Sequence, residues 1–321
     1  MPRRRQLAMA AAMFAALVGC NAARRLAESP SEGERSGLVA PTVADESPSN
    51  LPGLPNVVAY APALYSGGAP EGAEGFETLH DLGIRTIISV DGAQPDVDAA
   101  RAMGMRYVHL PIGYNGMDRT RTLEIARAVR ELPGPIYIHC HHGKHRSAGA
   151  TGAAAVTLGY MTNEAATQRM RVSGTSPHYV GLYKCVAVAG IASDQDILTA
   201  ANAFPERWET TGLVQSMVEI EEAFDHLKRI QAAGWQAPAE HPDLVPVAEA
   251  GRLSDLFRNL RDDERCRRKS AEFMDWMLSA SHTSAQIEAE LAAERPSAGA
   301  LKRHWGELKN SCTQCHAKYR D

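Results

Sequence analysis

The chain has 321 residues, 44% hydrophobic and 22% charged, a globular composition with room for one or two domains. Its formal net charge of −4 excludes the broad basic face on which nucleic-acid binders depend, so no nucleic-acid partner is expected.

Arg3, Arg4 and Arg5 precede an apolar run from Leu7 to Val18. That run is shorter than the ~20 residues of a membrane span, so residues 1–19 predict a signal peptide. It ends in Leu17-Val18-Gly19-Cys20, which resembles a bacterial lipobox. The resemblance implies cleavage before Cys20, lipid on its sulfur and anchorage to a membrane facing the periplasm. Asn21 in the next position, rather than Asp, favours the outer membrane. Residues 20–55, rich in Ser, Glu, Pro and Gly without an apolar period, predict a flexible tether.

Strands and helices then alternate. Strands are predicted at 63–66, 85–90, 105–110 and 135–139, and helices at 72–82, 97–103, 119–132 and 147–158. This predicts an α/β domain over 56–195, with a mostly parallel central sheet flanked by helices. Beyond Ser193 the strands stop. Leu213, Met217, Ile220, Phe224 and Leu227 share one helix face. Further helices follow at 247–260, at 263–293 (interrupted) and from Leu301 to Tyr319. Over 205–321 this predicts an all-α four-helix bundle.

The loop His139-Cys140-His141-His142-Gly143-Lys144-His145-Arg146-Ser147 lies between a predicted strand and a predicted helix. A loop in that place turns backbone N–H groups inward at a helix N-terminus, which binds anions and favours a thiolate. Arg146 brings a planar fork that matches two phosphate oxygens, and Gly143 gives the backbone freedom.

His139, Cys140, Gly143, Arg146 and Ser147 match the signature of the cysteine-dependent protein tyrosine and dual-specificity phosphatases, which residues 54–192 resemble. Tyr65-Ser66-Gly67-Gly68-Ala69-Pro70 and Leu82-Gly83-Ile84-Arg85-Thr86-Ile87-Ile88 resemble segments of the compact dual-specificity members. The resemblance implies that Cys140 attacks phosphorus and forms a phosphocysteine. Arg146 and the amides of His141, His142, Gly143, Lys144, His145 and Arg146 would bind the phosphate oxygens. Ser147 would hydrogen-bond the sulfur, and His139 would hold the loop and favour the thiolate. The substrate would be a phosphorylated protein, lipid or small molecule, and no metal would be needed. Asp118, the one carboxylate on the loop Pro111–Asp118, is the candidate general acid or else a helix cap. Asp91 is the weaker candidate.

Cys312-Thr313-Gln314-Cys315-His316 is a c-type haem attachment sequence. Cys312 and Cys315 would form thioethers and His316 would be the iron ligand. Followed by Lys318-Tyr319-Arg320 on a last helix, it resembles the ending of the cytochrome c′ type of four-helix protein. This implies one covalent haem c of redox or sensing role, with a redox partner. Met217 is a candidate sixth ligand, although a core Met is the commoner fate of such a position. Cys185 and Cys266 remain, and two buried free thiols are favoured over a bridge. The expected function is phosphomonoester hydrolysis with an attached haem domain. The alternative is a redox or gas-sensing cytochrome whose phosphatase-like domain is inactive or regulatory.

Overall fold

The computed structural model describes residues 38–208 and 213–319, so the signal peptide and Cys20 lie outside the described residues. Six strands form one mixed sheet in the order β1-β2-β3-β6-β4-β5. They are β1 (Ser49–Leu51), β2 (Leu54–Ala61), β3 (Leu64–Gly67), β4 (Thr86–Ser89), β5 (Arg106–His109) and β6 (Ile136–His139). β3, β6, β4 and β5 are parallel, and β1 and β2 add an antiparallel edge.

Side-chain alternation along the strands explains why both faces are covered. Val58, Tyr60, Ile88, Val108, Ile136 and Ile138 enter one apolar cluster. Val57, Ile87, Tyr107 and Tyr137 enter the other. Helices α1 (Gly72–Asp81) and α2 (Val97–Ala102) supply Phe76, Leu79, Val97 and Ala100 to this second cluster. The first face takes α3 (Arg119–Glu131) and α4 (Arg146–Thr157), with α5 (Asn163–Val172) and α6 (Val180–Val188) packed on α4. Every residue of α4 is buried, which its Ala and Gly content permits. A short α7 (Asp194–Thr199) packs on α3.

The remaining helices are α8 (Leu213–Ala232), α9 (Pro246–Asp262), α10 (Glu264–Arg267), α11 (Ala271–Ala292) and α12 (Ala298–Tyr319). α9 packs between α8 and α11, and α12 packs on α11. Phe224 stacks on Trp305 with ring centroids 4.6 Å apart, and Trp235 meets Trp305 edge-on. These side chains belong to the same apolar cluster as Ile138 of the sheet. No described helix is long and apolar enough to cross a membrane.

Two segments depart from the sequence reading. The stretch expected as tether already holds β1 and the fully buried Leu54. Arg169 also donates to the carbonyls of Val43 and Asp45. Local polarity misleads here, because Leu51 alone packs on the second cluster while backbone pairing with β2 holds Ser49-Asn50-Leu51 at the edge. The expected break in the third helix falls between α10 and α11, where Ser270 caps α11 by accepting from the Phe273 N–H.

Candidate active site

The four parallel strands end in one row, with His139 beside both Gly67 and Ser89, and Ser89 beside His109. The crevice beyond the carboxyl ends of such strands is where α/β sheets bind ligands. Cys140 follows β6, the central strand of this row, and Arg146 opens α4. Gly143 between them adopts φ +73°, and a Cβ there would lie 2.3 Å from the Gly68 nitrogen. Asn56 donates through Nδ2 to the Gly143 carbonyl at 3.0 Å, which turns that oxygen outward. Outside the Gly68–His142 bridge, which engages Gly143 with β3, none of the backbone N–H groups from His141 to Arg146 donates to a backbone carbonyl. Together they form an open arc of donors at the helix N-terminus, a built anion cradle.

Cys140 is 2% exposed, and its Sγ lies 3.4 Å from Ser147 Oγ. His139 does not face the sulfur as a cation. Burial pushes its imidazole down to about 4, so it is neutral at pH 7. Its Nδ1 faces the Cys140 carbonyl at 3.4 Å and its Nε2 the Tyr107 hydroxyl at 2.6 Å. It holds the loop but brings no positive charge to the thiol. His141 and His145 are likewise neutral, each pushed down to about 3 by burial. His141 and His142 line a cleft of about 300 Å³ with Ser254, Arg258, Arg261 and His282. Lys144 lies on the exposed side of the loop.

Arg146 is 1% exposed. Its guanidinium grips Asp255 of α9 through both terminal nitrogens and donates to the Tyr114 hydroxyl at 3.1 Å. It also stacks 4.2 Å from the centre of the Tyr114 ring. Arg258, one turn on from Asp255, donates to both Asp255 and Asp91. Burial raises the Asp91 carboxyl, but Arg258 and then Arg146 outweigh it and hold the group well below the carboxylate range. Burial raises Asp255 against the pull of the same two arginines. Tyr179 stacks on Tyr114 and donates to Glu288 of α11 at 3.1 Å. The Nε of Arg146 and of Arg258 are buried with no acceptor among the described residues.

The structure thus brings Cys140, Arg146, Ser147 and His139 together and leaves Asp118 out. The Asp118 carboxylate caps α3 by accepting from the Arg121 N–H at 2.8 Å, and it lines a separate depression with Pro111, Met117 and Glu124. The capping role is the one the fold uses, because a helix start needs an acceptor there. Tyr114, from the same loop, is the residue that reaches Arg146. Asp255, Arg258, Tyr179 and Glu288 were not legible as site residues. Their one signal is the i, i+4 and i, i+3 spacing of Gly251, Asp255 and Arg258 on a single face of α9.

At the other end, Cys312 is half-buried, Cys315 is buried and both are free. Burial, with Cys315 beside it, pushes the Cys312 thiol up to about 11. His316 is exposed, and so points away from the inward side that holds Cys315. Two unpaired thiols one turn apart are the groups that thioether attachment of a haem uses, while the His316 imidazole lies on the outward side of the helix. Met217 is half-buried against the same apolar cluster. Cys185 and Cys266 are free and buried, and Cys185 Sγ accepts from the Met117 N–H at 2.9 Å.

No family model matches the chain, and no curated protein does. Solved structures similar to it include the following three. TpbA of P. aeruginosa is 23% identical, with 46% of this chain and 91% of that chain covered and a TM-score of 0.38. A DUF442 phosphatase from Shewanella putrefaciens CN-32 is 20% identical, with 43% and 95% covered and a TM-score of 0.35. The core catalytic domain of the PP-IP phosphatase Siw14 from S. cerevisiae, solved with citrate, is 19% identical, with 47% and 85% covered and a TM-score of 0.33. A variant of TpbA was solved in complex with pTyr.

Proposed function

We propose that the chain is a phosphomonoesterase that works through Cys140. The observation that carries this reading is the strand–loop–helix turn that sets Cys140 Sγ 3.4 Å from Ser147 Oγ and leaves the N–H groups of His141, His142, Lys144, His145 and Arg146 without a backbone acceptor. Such an arc matches the equatorial oxygens of a phosphoryl group in transfer. Sγ attacks phosphorus, forming the S–P bond as the ester O–P bond breaks. Water then attacks phosphorus and releases phosphate, and Ser147 Oγ–H steadies the departing sulfur. Arg146 binds two of the oxygens once Asp255 has left it. Residues 56–195 form the catalytic domain in this reading. The substrate is a phosphorylated protein, lipid or small molecule.

The test is hydrolysis of p-nitrophenyl phosphate by the purified full chain. Cys140→Ser should reduce the rate more than about a thousandfold. Equal turnover by both proteins sinks the proposal.

Residues 205–321 are read as a cytochrome c′-like domain, with Cys312 and Cys315 holding one haem c and His316 binding its iron. Met217 is the candidate sixth ligand. When bound, that group supplies electron transfer or gas binding, with a redox partner. In this reading the lipobox-like Leu17-Val18-Gly19-Cys20 supports lipid anchorage of Cys20 to the envelope facing the periplasm, at the outer membrane. Made alongside haem-attachment machinery, the chain should gain the mass of one haem and a c-type absorbance. Cys315→Ala should lose the second thioether. A colourless product of unchanged mass removes the haem assignment and leaves the esterase reading intact.

One observation favours a second reading, a cytochrome whose phosphatase-like part is inert: the Arg146 guanidinium is already taken. The p-nitrophenyl phosphate assay separates the two.

A further inference from the structure

Arg146 is the one cation of the loop placed to hold phosphate oxygens, and the group it holds is a carboxylate from outside the α/β sheet. Asp255 spans the guanidinium, with Oδ2 on one terminal nitrogen and Oδ1 3.2 Å from the other. Arg258 bonds Oδ1 of the same carboxylate. A phosphate bound by a two-arginine site would be held in the same manner, by paired N–H donors on its oxygens. Arg146 is 1% and Cys140 2% exposed, and Asp255 takes both terminal nitrogens of the guanidinium, so a phosphate oxygen gains them only when Asp255 leaves. Stability alone does not call for this arrangement, because a buried ion network is often no better than an apolar one of similar volume.

We propose that α9 is a built-in inhibitor of the loop, with Asp255 standing where substrate phosphate binds, so that substrate and Asp255 compete for Arg146. This rests on the reading of the Cys140 loop as a phosphate site.

Gly251, one turn before Asp255, gives an independent handle. A Cβ there would lie 2.8 Å from the Tyr114 ring and 3.0 Å from Glu288 Oε1. A large side chain at that point wedges α9 off the loop and leaves every charge in place.

The full chain is compared with Asp255→Asn, Asp255→Ala and Gly251→Leu, and with Asp262→Asn as a control for general loss of negative charge. KM and kcat are measured for p-nitrophenyl phosphate. Binding of inorganic phosphate is measured by calorimetry in the Cys140→Ser background. A site open one time in ten binds about tenfold more weakly than a free one. Both Asp255 variants and Gly251→Leu should therefore lower KM about tenfold with kcat unchanged, and tighten phosphate binding equally. Asp262→Asn should change neither. Unchanged phosphate affinity in folded Asp255 and Gly251 variants overturns the proposal. So does a fall in kcat at constant KM, which makes Asp255 a working part of the site. If Asp255→Ala does not fold, Asp255→Asn and Gly251→Leu decide. Tighter phosphate binding without turnover in any variant supports the inhibitor and removes the esterase reading. Turnover in every variant with the parent KM does the reverse.

Discussion

Arg146→Ala should lower the thermal midpoint of the full chain by roughly ten degrees, besides destroying phosphate turnover. The guanidinium is buried between Asp255, Asp91 and the Tyr114 ring. Its removal leaves two buried carboxylates to share the single Arg258. Breaking a buried ion network from one side costs about 3–5 kcal/mol, since the remaining charge has no solvent to turn to. In a chain of this size each kcal/mol moves the midpoint by about 2–4 °C. The double variant Arg146→Met/Asp255→Leu should recover much of the loss, because it removes the stranded charge together with its partner. The melts are followed by circular dichroism. A shift of less than about 2 °C in Arg146→Ala would mean that the carboxylates find water or a proton instead.

The second large effect is on pH. Glu288 has a carboxyl pushed up to about 7, first by burial and then by Asp255, against the pull of Arg146 and the Tyr179 and Tyr114 hydroxyls. The unfolded chain releases this proton near 4.5, whereas the folded chain keeps it until about 7. Between those values the folded state holds more protons, so its stability falls as pH rises and levels off above 7. The full span is on the order of 3 kcal/mol. Asp255, also raised, adds a slope of the same sign. Asp91, held low, acts only at much more acidic pH. Glu288→Gln should flatten the midpoint between pH 5 and 8 and leave the variant more stable than the parent at pH 8. Parallel curves for the two proteins would place the sensitivity elsewhere.

How much of this could be read in advance follows from the range of each interaction. The β6–loop–α4 unit is local, and Pro135 to Leu158 carries its own punctuation: an apolar strand, a glycine, then small residues. The CxxCH sequence is local as well. The Arg146–Asp255 pair joins residues 109 positions apart, and no local pattern announces it. Asp255 and Arg258, three apart on a helix, read as a solvated ion pair. They are buried because α9 is packed by α8, by α11 and by the Tyr114 loop together. A single apolar face, Val247, Leu253, Phe257 and Leu260, shows only the first. Asp118 misled for the opposite reason. It is the one carboxylate on its loop, 22 positions before Cys140, and the helix it starts claims its carboxylate.

The apolar cluster that runs unbroken from Ile138 beneath the loop to Trp305 has a kinetic consequence. Close-packed side chains do not slide past one another piecemeal; they shift between discrete arrangements. Freeing the guanidinium therefore means displacing a whole packed helix rather than swinging one rotamer, and such motions belong to microseconds and longer. Release of the guanidinium is then a gated event with its own rate, and a fall in KM at constant kcat requires that gate to open faster than the chemistry proceeds.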